Sequence, residues 1–331
     1  YGAMLAGVGC VLMGAGIPKA IPGAIDRLAR GEPVELRLDV HGAEPDDHFV
    51  TRFDPGALFA GPAPALERPD FFAIVASDTL AAMLARKASG PVDGFIIEGP
   101  TAGGHNAPPR GRSRLSDQGE PIYTARDAPD LSAIRSLGLP FWLAGSYAQP
   151  ERLREAQRLG AAGVQIGTAF AYCEESGLDP ALKAQVLALS RAGRAQVFTD
   201  PVASPTGFPF KLVQLDGTLA DEAAYRQRTR VCDLGYLRHA YKRPDGTIGW
   251  RCPAEPVDDY ISKGGDATDT VGRRCLCNAL AADIGLGQVQ RGGETELPLV
   301  TSGDDVSTVA RFLAPGATSY TAADVISTIM G

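Results

Sequence analysis

Gly94-Phe95-Ile96-Ile97-Glu98-Gly99-Pro100-Thr101-Ala102-Gly103-Gly104-His105 is the stretch that decides the fold. A short apolar run, Phe95 to Ile97, ends at Glu98, and glycine and proline then make continued extension unfavourable. A run of this length bounded by turn residues reads as a buried strand of a parallel sheet. Downstream, Asp130 to Leu137 reads as a helix closed by Gly138, and Phe141-Trp142-Leu143-Ala144 as a strand ending at Gly145-Ser146. The helix Glu151 to Leu159, stopped by Gly160, leads to the strand Gly163 to Ile166, which ends at Gly167-Thr168. Upstream, Phe71 to Ala76 is a strand and Asp78 caps a helix with Leu80, Met83 and Leu84 on its apolar face. Before that, Val11-Leu12-Met13 runs into Gly14-Ala15-Gly16, and Ile21 to Arg30 follows as a helix.

Strand and helix thus alternate through five βα units within residues 1–200, the rhythm of an α/β fold built on a parallel sheet. The expected architecture is a (β/α)8 TIM barrel. A closed barrel needs eight units, so about three strands are missing from the front. The acidic, proline-rich stretch Glu44 to Asp70, with the alternating Val34 to Val40 before it, reads as an insertion over 33–70. Residues 1–205 are then the barrel portion. Residues 206–331 are expected to be a mostly helical or irregular C-terminal extension, a lid or an interface, ending in amphipathic helices over Asp304 to Leu313 and Ala322 to Met330, the second capped by Thr321.

Composition narrows the function classes. The chain has 331 residues, 44% hydrophobic and 21% charged, with a net charge of -7 and no cluster of Lys and Arg. Nucleic acid is excluded as a partner on that balance, because such binding displaces counterions with clustered basic side chains. Six scattered cysteines fit no disulfide scaffold and point to a reducing, cytoplasmic setting. Tyr1 to Ile17 carry no charged side chain, yet five glycines interrupt them, so they read as a helix end and a strand and not as a membrane span. Tyr1 opens inside an apolar pattern, as a continuation of a longer chain would.

Ligands of α/β folds sit at the carboxyl ends of strands, and barrels often hold a phosphate where the last two strands end. Ala144-Gly145-Ser146 and Gln165-Ile166-Gly167-Thr168 place small residues there, each ahead of a helix N-terminus, with two hydroxyls as extra donors. One unit earlier, Gly103-Gly104 lets backbone approach a flat ligand, and His105 follows as a candidate acid or base near neutral pH.

Ala102-Gly103-Gly104-His105, Ala144-Gly145-Ser146-Tyr147 and Gln165-Ile166-Gly167-Thr168, each at a strand end and in this order, resemble the motifs of the nitronate monooxygenase family. These are FMN-dependent barrels, once called 2-nitropropane dioxygenases, related to flavin-dependent enoyl reductases. The resemblance is most specific from Val11 to Ser176. It implies FMN as cofactor, with Glu98 and Gly103 against the flavin and Gly145 and Gln165 to Thr168 on its phosphate. Gly104, Ala144 and Ser146 complete the cofactor set, and His105 is the substrate-side base. The implied activity is oxidation of alkyl nitronates with dioxygen.

Three departures from the family pattern bear on the substrate. Glu98 stands where that family has Gln, Ser146-Tyr147 replaces Gly-Ile, and the stretch Thr199 to Lys211 replaces a Gly-Arg-Pro-Ala-Arg segment. Ser204 to Lys211 resembles a subgroup tied to polyketide and polyunsaturated fatty acid synthesis. The alternative is therefore an NAD(P)H- and FMN-dependent reductase of enoyl thioesters, whose substrate is an acyl thioester and not a small molecule. The third reading is a non-catalytic flavin-binding subunit. The family's early Gly-Gly-Met strand and its flavin-site Asn are absent, so the chain is expected to be a fragment, a cleaved form or one part of a split protein, partnered by the missing N-terminal barrel segment, with a homodimer as the other assembly considered and no membrane partner.

Cys232, Cys252, Cys275 and Cys277 are four thiols in one region, a number that suits zinc, but their spacing departs from the usual C-x2-4-C pairs. They are expected to be buried free thiols, and no metal is expected. His41, His48 and His239 read as surface residues.

Overall fold

The computed structural model describes residues 1–14, 16–112 and 114–331; Ala15, read above as part of the Gly14–Gly16 turn, and Ser113 lie outside the described residues. Its centre is a five-stranded parallel sheet. In chain order the strands of the protein are β1 (Cys10–Met13), β2 (Val34–Arg37), β3 (Val40–His41), β4 (Val50–Phe53), β5 (Asp70–Val75), β6 (Gly94–Glu98), β7 (Phe141–Ala144), β8 (Gly163–Gln165), β9 (Val197–Asp200), β10 (Phe210–Val213), β11 (His239–Lys242) and β12 (Ile248–Arg251). The sheet order is β1-β5-β6-β7-β8, the order in which the five strands predicted from sequence occur along the chain. Among the described residues β1 and β8 are its edges, so the sheet is open and does not close into a barrel.

Alternation along each strand sorts the side chains between two faces. Phe71, Ala73 and Val75 of β5, Phe95 and Ile97 of β6, and Phe141 and Leu143 of β7 all enter one buried cluster. Helices Ile21–Ala29, Asp78–Lys87, Leu131–Arg135 and Pro150–Arg158 add Ile25, Ala81, Leu84, Ile134 and Ala156 to that layer. The opposite face carries Phe72 against Trp142, with ring centroids 4.8 Å apart. Truncating any of the three buried phenylalanines to Ala costs about 3–5 kcal/mol in a layer packed this closely.

Several local expectations need correction. Ser77, not Asp78, caps the helix after β5, because its hydroxyl accepts from Leu80 N while Asp78 already lies in the first turn. The stretch Val34 to Val40 is two strands: β2 pairs antiparallel with β4, whereas β3 pairs parallel with β11. Asp304–Phe312 is amphipathic as its pattern required but is wound as a 3-10 helix, and Thr321 does cap the last helix, in a capping box with Asp324. The C-terminal region, expected to be helical or irregular, also supplies β10 to the β9–β10 hairpin and both strands of the β11–β12 hairpin. It is not packed apart from the rest. One buried cluster combines Ala148, Tyr172, Val186 and Leu187 with Val306, Val309, Phe312, Tyr320 and Val325, from both sides of residue 205.

Candidate functional site

The parallel register aligns three site candidates at the carboxyl edge of the sheet. Glu98 pairs with Ala144, and Ala144 pairs with Gln165. The loops beyond these strands surround a cavity of about 350 Å3, and Glu98, Gly103, Gly104, Ala144, Gly145, Ser146, Gln165, Ile166, Gly167 and Thr168 all line it. Every cofactor-binding residue named from sequence is therefore on one wall set.

A further wall was missed. Thr301, Ser302, Gly303 and Asp305 close the cavity from the C-terminal region. Gly104 N donates to Thr301 Oγ1 at 2.9 Å, Gly303 N to Thr168 Oγ1 at 2.9 Å, and Asp304 N to Thr101 O at 3.0 Å. Gly103 has to be glycine at this seam, because a Cβ would stand 2.7 Å from the backbone of Ser302 and Gly303. A signal was available: Leu297 to Val300 is an apolar run that ends in Thr301-Ser302-Gly303, like the strand ends earlier in the chain. It forms no strand, so the strand rhythm does not reach it.

The cavity carries polar groups but no basic side chain. Glu98 and Asp305 are its carboxylates, and burial pushes Glu98 up to about 7 and also raises Asp305, against a hydrogen bond from Thr168 that lowers it. Ser146 Oγ, Gln165 Oε1 and Asp305 Oδ1 are buried with no hydrogen-bond partner in the protein. Three such atoms around one space are the mark of a ligand's polar groups, since an unmade buried hydrogen bond costs roughly 1–3 kcal/mol. Ser146 also has φ of 58°, the single non-glycine residue in the left-handed region among the described residues. Backbone held there costs about 1–3 kcal/mol and persists where the surroundings require it. Gly145 before it has φ of 100°, and a Cβ there would meet Thr101 Oγ1 at 2.8 Å.

The expected helix N-termini are weaker than the sequence suggested. The helix after Gly167 is one turn, Thr168–Ala171, and the helix after Ser146 begins only at Pro150. The Thr168 hydroxyl is turned to Gly303 and Asp305, which leaves the Gly145-Ser146 and Gly167-Thr168 backbone as the local donors.

His105 does not line this cavity. It faces a second one of about 590 Å3, walled by Ile74, Val75, Leu80, Phe208 and Leu237, with Arg110, Tyr123 and Asp127 also on its lining. Glu98 lines both spaces. The imidazole Nε2 lies 2.6 Å from Ser204 Oγ, the ring meets Phe210 edge-on at 4.8 Å, and burial lowers its pKa below the usual histidine value. Behind it, buried Lys211 donates to Thr199 Oγ1 at 3.0 Å and to Asp304 at 2.6 Å. Asn106 is buried with Nδ2 donating to Ala102 O, while its Oδ1 is left unpartnered.

Cys252 and Cys275 are buried with Cys277 against them, and burial raises the Cys252 thiol to about 12 and Cys275 to about 11. Among the described residues no three His, Cys, Asp or Glu side chains are disposed to hold a metal ion, and no helix is long and apolar enough to cross a membrane.

The model of the nitronate monooxygenase family matches residues 44–202, which contain the histidine loop and both glycine-ended strands. The match takes in a little under half of the 331-residue chain. A curated relative, a probable nitronate monooxygenase from Bacillus subtilis, is 34% identical over 104 residues, 30% of this chain and 27% of its own length. The chain thus spans about a quarter of that relative. Among solved structures, FabK from Thermotoga maritima is similar over 79% of this chain and 60% of its own, at 18% identity and a TM-score of 0.43. Nitroalkane oxidase from Streptomyces ansochromogenes is similar over 79% and 56%, at 16% and 0.41. The enoyl reductase domain of MlnA from Bacillus amyloliquefaciens covers 99% of this chain and 76% of its own, at 11% and 0.49. The nitronate monooxygenase family match ends at 202, so the wall formed by Thr301 to Asp305 lies outside the matched residues.

Proposed function

We propose that this chain is a flavoprotein oxidoreductase that binds FMN in the first cavity and oxidises alkyl nitronates with dioxygen in the second. The observation that carries the reading is the junction of the two cavities at Glu98, one lined by glycines and unpartnered polar atoms, the other more apolar and bearing His105. A bound flavin would supply the two-electron redox chemistry, which no side chain lining either cavity offers. The residues present fit it. Backbone N–H groups of Gly145, Ser146, Gly167 and Thr168 would hold the phosphate without a basic side chain, and the unpartnered Ser146 Oγ and Gln165 Oε1 would gain partners. Glu98, pushed up to about 7, is partly protonated at neutral pH and can donate as well as accept at the junction. His105, kept neutral by burial, is available to take the α-proton of a neutral nitroalkane, so generating the nitronate that is oxidised, or to orient a nitronate that arrives as the anion. Ile74, Val75, Leu80, Phe208 and Leu237 would give the substrate's carbon chain an apolar wall beside that step.

A second reading has its own support. The larger cavity, with Leu80, Phe208 and Leu237 on its walls, is roomy for a short nitronate and suits the acyl chain of an enoyl thioester, reduced at the expense of NAD(P)H. One experiment separates the two. The purified protein, reconstituted with FMN, is titrated anaerobically with an alkyl nitronate and with NADPH while the flavin absorbance is followed. Bleaching by the nitronate alone supports the oxidase reading, and rapid bleaching by NADPH supports the reductase. A protein that binds FMN yet is bleached by neither is a non-catalytic flavin carrier, and one that binds no FMN ends the proposal.

A further inference from the structure

The segment from Asp200 to Phe210 is built around the catalytic histidine loop. Asp200 Oδ1 accepts from Val202 N at 2.8 Å and Ala203 N at 2.9 Å, and Arg273 Nη1 donates to the carbonyls of Val202 and Ser204. On the other side Asn106 N donates to Pro209 O at 2.9 Å, and Lys211 N to Gly104 O at 3.0 Å. Clamped from both directions, the fully buried Ser204 presents its hydroxyl 2.6 Å from His105 Nε2 and 2.7 Å from Thr206 Oγ1. Ser204 Oγ also accepts from Thr206 N at 3.2 Å, and Thr206 Oγ1 from Phe208 N at 3.4 Å.

A hydroxyl has one proton to give. With Ser204 Oγ already accepting from a backbone N–H, its own proton goes either to Thr206 or to the imidazole. In the first arrangement Nε2–H donates to Ser204, Ser204 donates to Thr206, and the Thr206 proton is free for the second cavity, which Thr206 lines. The other ring nitrogen, Nδ1, has no partner among the described residues and is then a bare lone pair.

We propose that Ser204 and Thr206 are positioning residues that hold His105 as the Nε2–H tautomer and so leave Nδ1 as the atom that accepts the substrate proton. The proposal rests on the reading of His105 as the base. A histidine aimed by a neighbouring acceptor is a better base than a free one, because neither ring flip nor tautomer exchange precedes the proton transfer.

The test is a nitrogen-15 NMR measurement of histidine tautomers on the FMN-loaded chain at neutral pH. His105 is one of four histidines, and its signals are assigned by their loss in His105→Asn. Wild type is expected to show protonated Nε2 and unprotonated Nδ1 at His105. Thr206→Ser is expected to keep that pattern, whereas Ser204→Ala and Thr206→Val shift it toward a tautomer mixture and lower kcat about 10-fold with KM little changed. A wild-type His105 protonated at Nδ1, or an Nε2–H pattern unmoved in Ser204→Ala and Thr206→Val that melt like wild type, overturns the proposal. If Ser204→Ala does not fold, the more accessible Thr206 pair decides alone. The NMR pattern needs no turnover, so a protein inactive on nitronates that still shows the relay would sink the functional reading and with it the role of Nδ1 as proton acceptor, and leave only the positioning of the His105 tautomer by Ser204 and Thr206 standing.

Discussion

The two cavities that meet at Glu98 are made by different means. The first is a backbone site: glycines, a left-handed serine and unpartnered polar atoms, assembled from strand ends whose positions the parallel register fixes. The second is a side-chain site, its walls drawn from β5, the histidine loop and the segment around Phe208 and Leu237, which lies outside the parallel sheet. The lesson is that a site made of backbone tolerates no added atoms, whereas one made of side chains tolerates new shapes and loses only chemistry.

The largest effect that would sharpen this contrast comes from a pair of variants. Gly145→Val should abolish FMN binding, because the residue has φ of 100° and the added Cβ would stand 2.8 Å from Thr101 Oγ1 and 3.1 Å from Ala102 N. His105→Asn should lower turnover about 10²–10⁴-fold, the usual worth of a general base, while leaving FMN affinity within a few-fold of wild type. Fluorescence titration of FMN against both proteins reads the difference. If His105→Asn loses FMN as completely as Gly145→Val, the two spaces are one site and the comparison fails.

A smaller effect is expected from pH. Burial raises Glu98 to about 7 from the usual carboxylate range, so between those limits the folded protein holds a proton that the unfolded chain has released. Stability is then highest at low pH and falls as pH rises toward 7, with no further loss from this group above it. Asp283, pushed up to about 8 by burial, slopes the same way, so the informative quantity is the difference between wild type and Glu98→Gln. Thermal melts between pH 5 and 8 should fall less steeply for Glu98→Gln; identical slopes would mean that Glu98 does not feel the burial that both cavities impose.

The smallest effect belongs to Ser146. Ser146→Gly removes the cost of a side chain in the left-handed region and should stabilise the protein by about 1 kcal/mol, seen as a rise in Tm. It also deletes one unpartnered oxygen of the first cavity and should weaken FMN binding several-fold. A variant that melts higher and binds equally well would remove the hydroxyl from the site and leave only the backbone.

The same contrast explains how much was legible in the sequence. The five parallel strands and ten of the residues that line the first cavity were readable, because strand ends in an α/β fold are marked locally by apolar runs and glycines. His105 was readable as a residue but not in its surroundings, since Ser204 and Phe210 reach it only through the β9–β10 hairpin, and an antiparallel hairpin with a nine-residue connection, residues 201–209, leaves no periodic trace. Asp305 and Thr301 escaped for a related reason. Their run of apolar residues ends as a strand would, yet the Leu299 N–H bonds to Asp283 Oδ1 and Val300 accepts from Val213, so its backbone is satisfied outside any ladder. The tight winding of Asp304–Phe312 follows no sequence period that separates it from an α-helix.

The seam between Gly103 and Gly303 joins residues two hundred positions apart, and it lies on the wall of the cavity assigned to the cofactor. A ligand seated there is held by the early strand ends and by the late loop together, and binding to the assembled state alone draws the folding equilibrium toward it. On the proposed function, loading FMN would act as a fastener for the C-terminal region. Protease cuts beyond residue 205 would be suppressed by FMN before any cut in the parallel sheet is, and the order in which fragments vanish would time the closing of the molecule around its ligand.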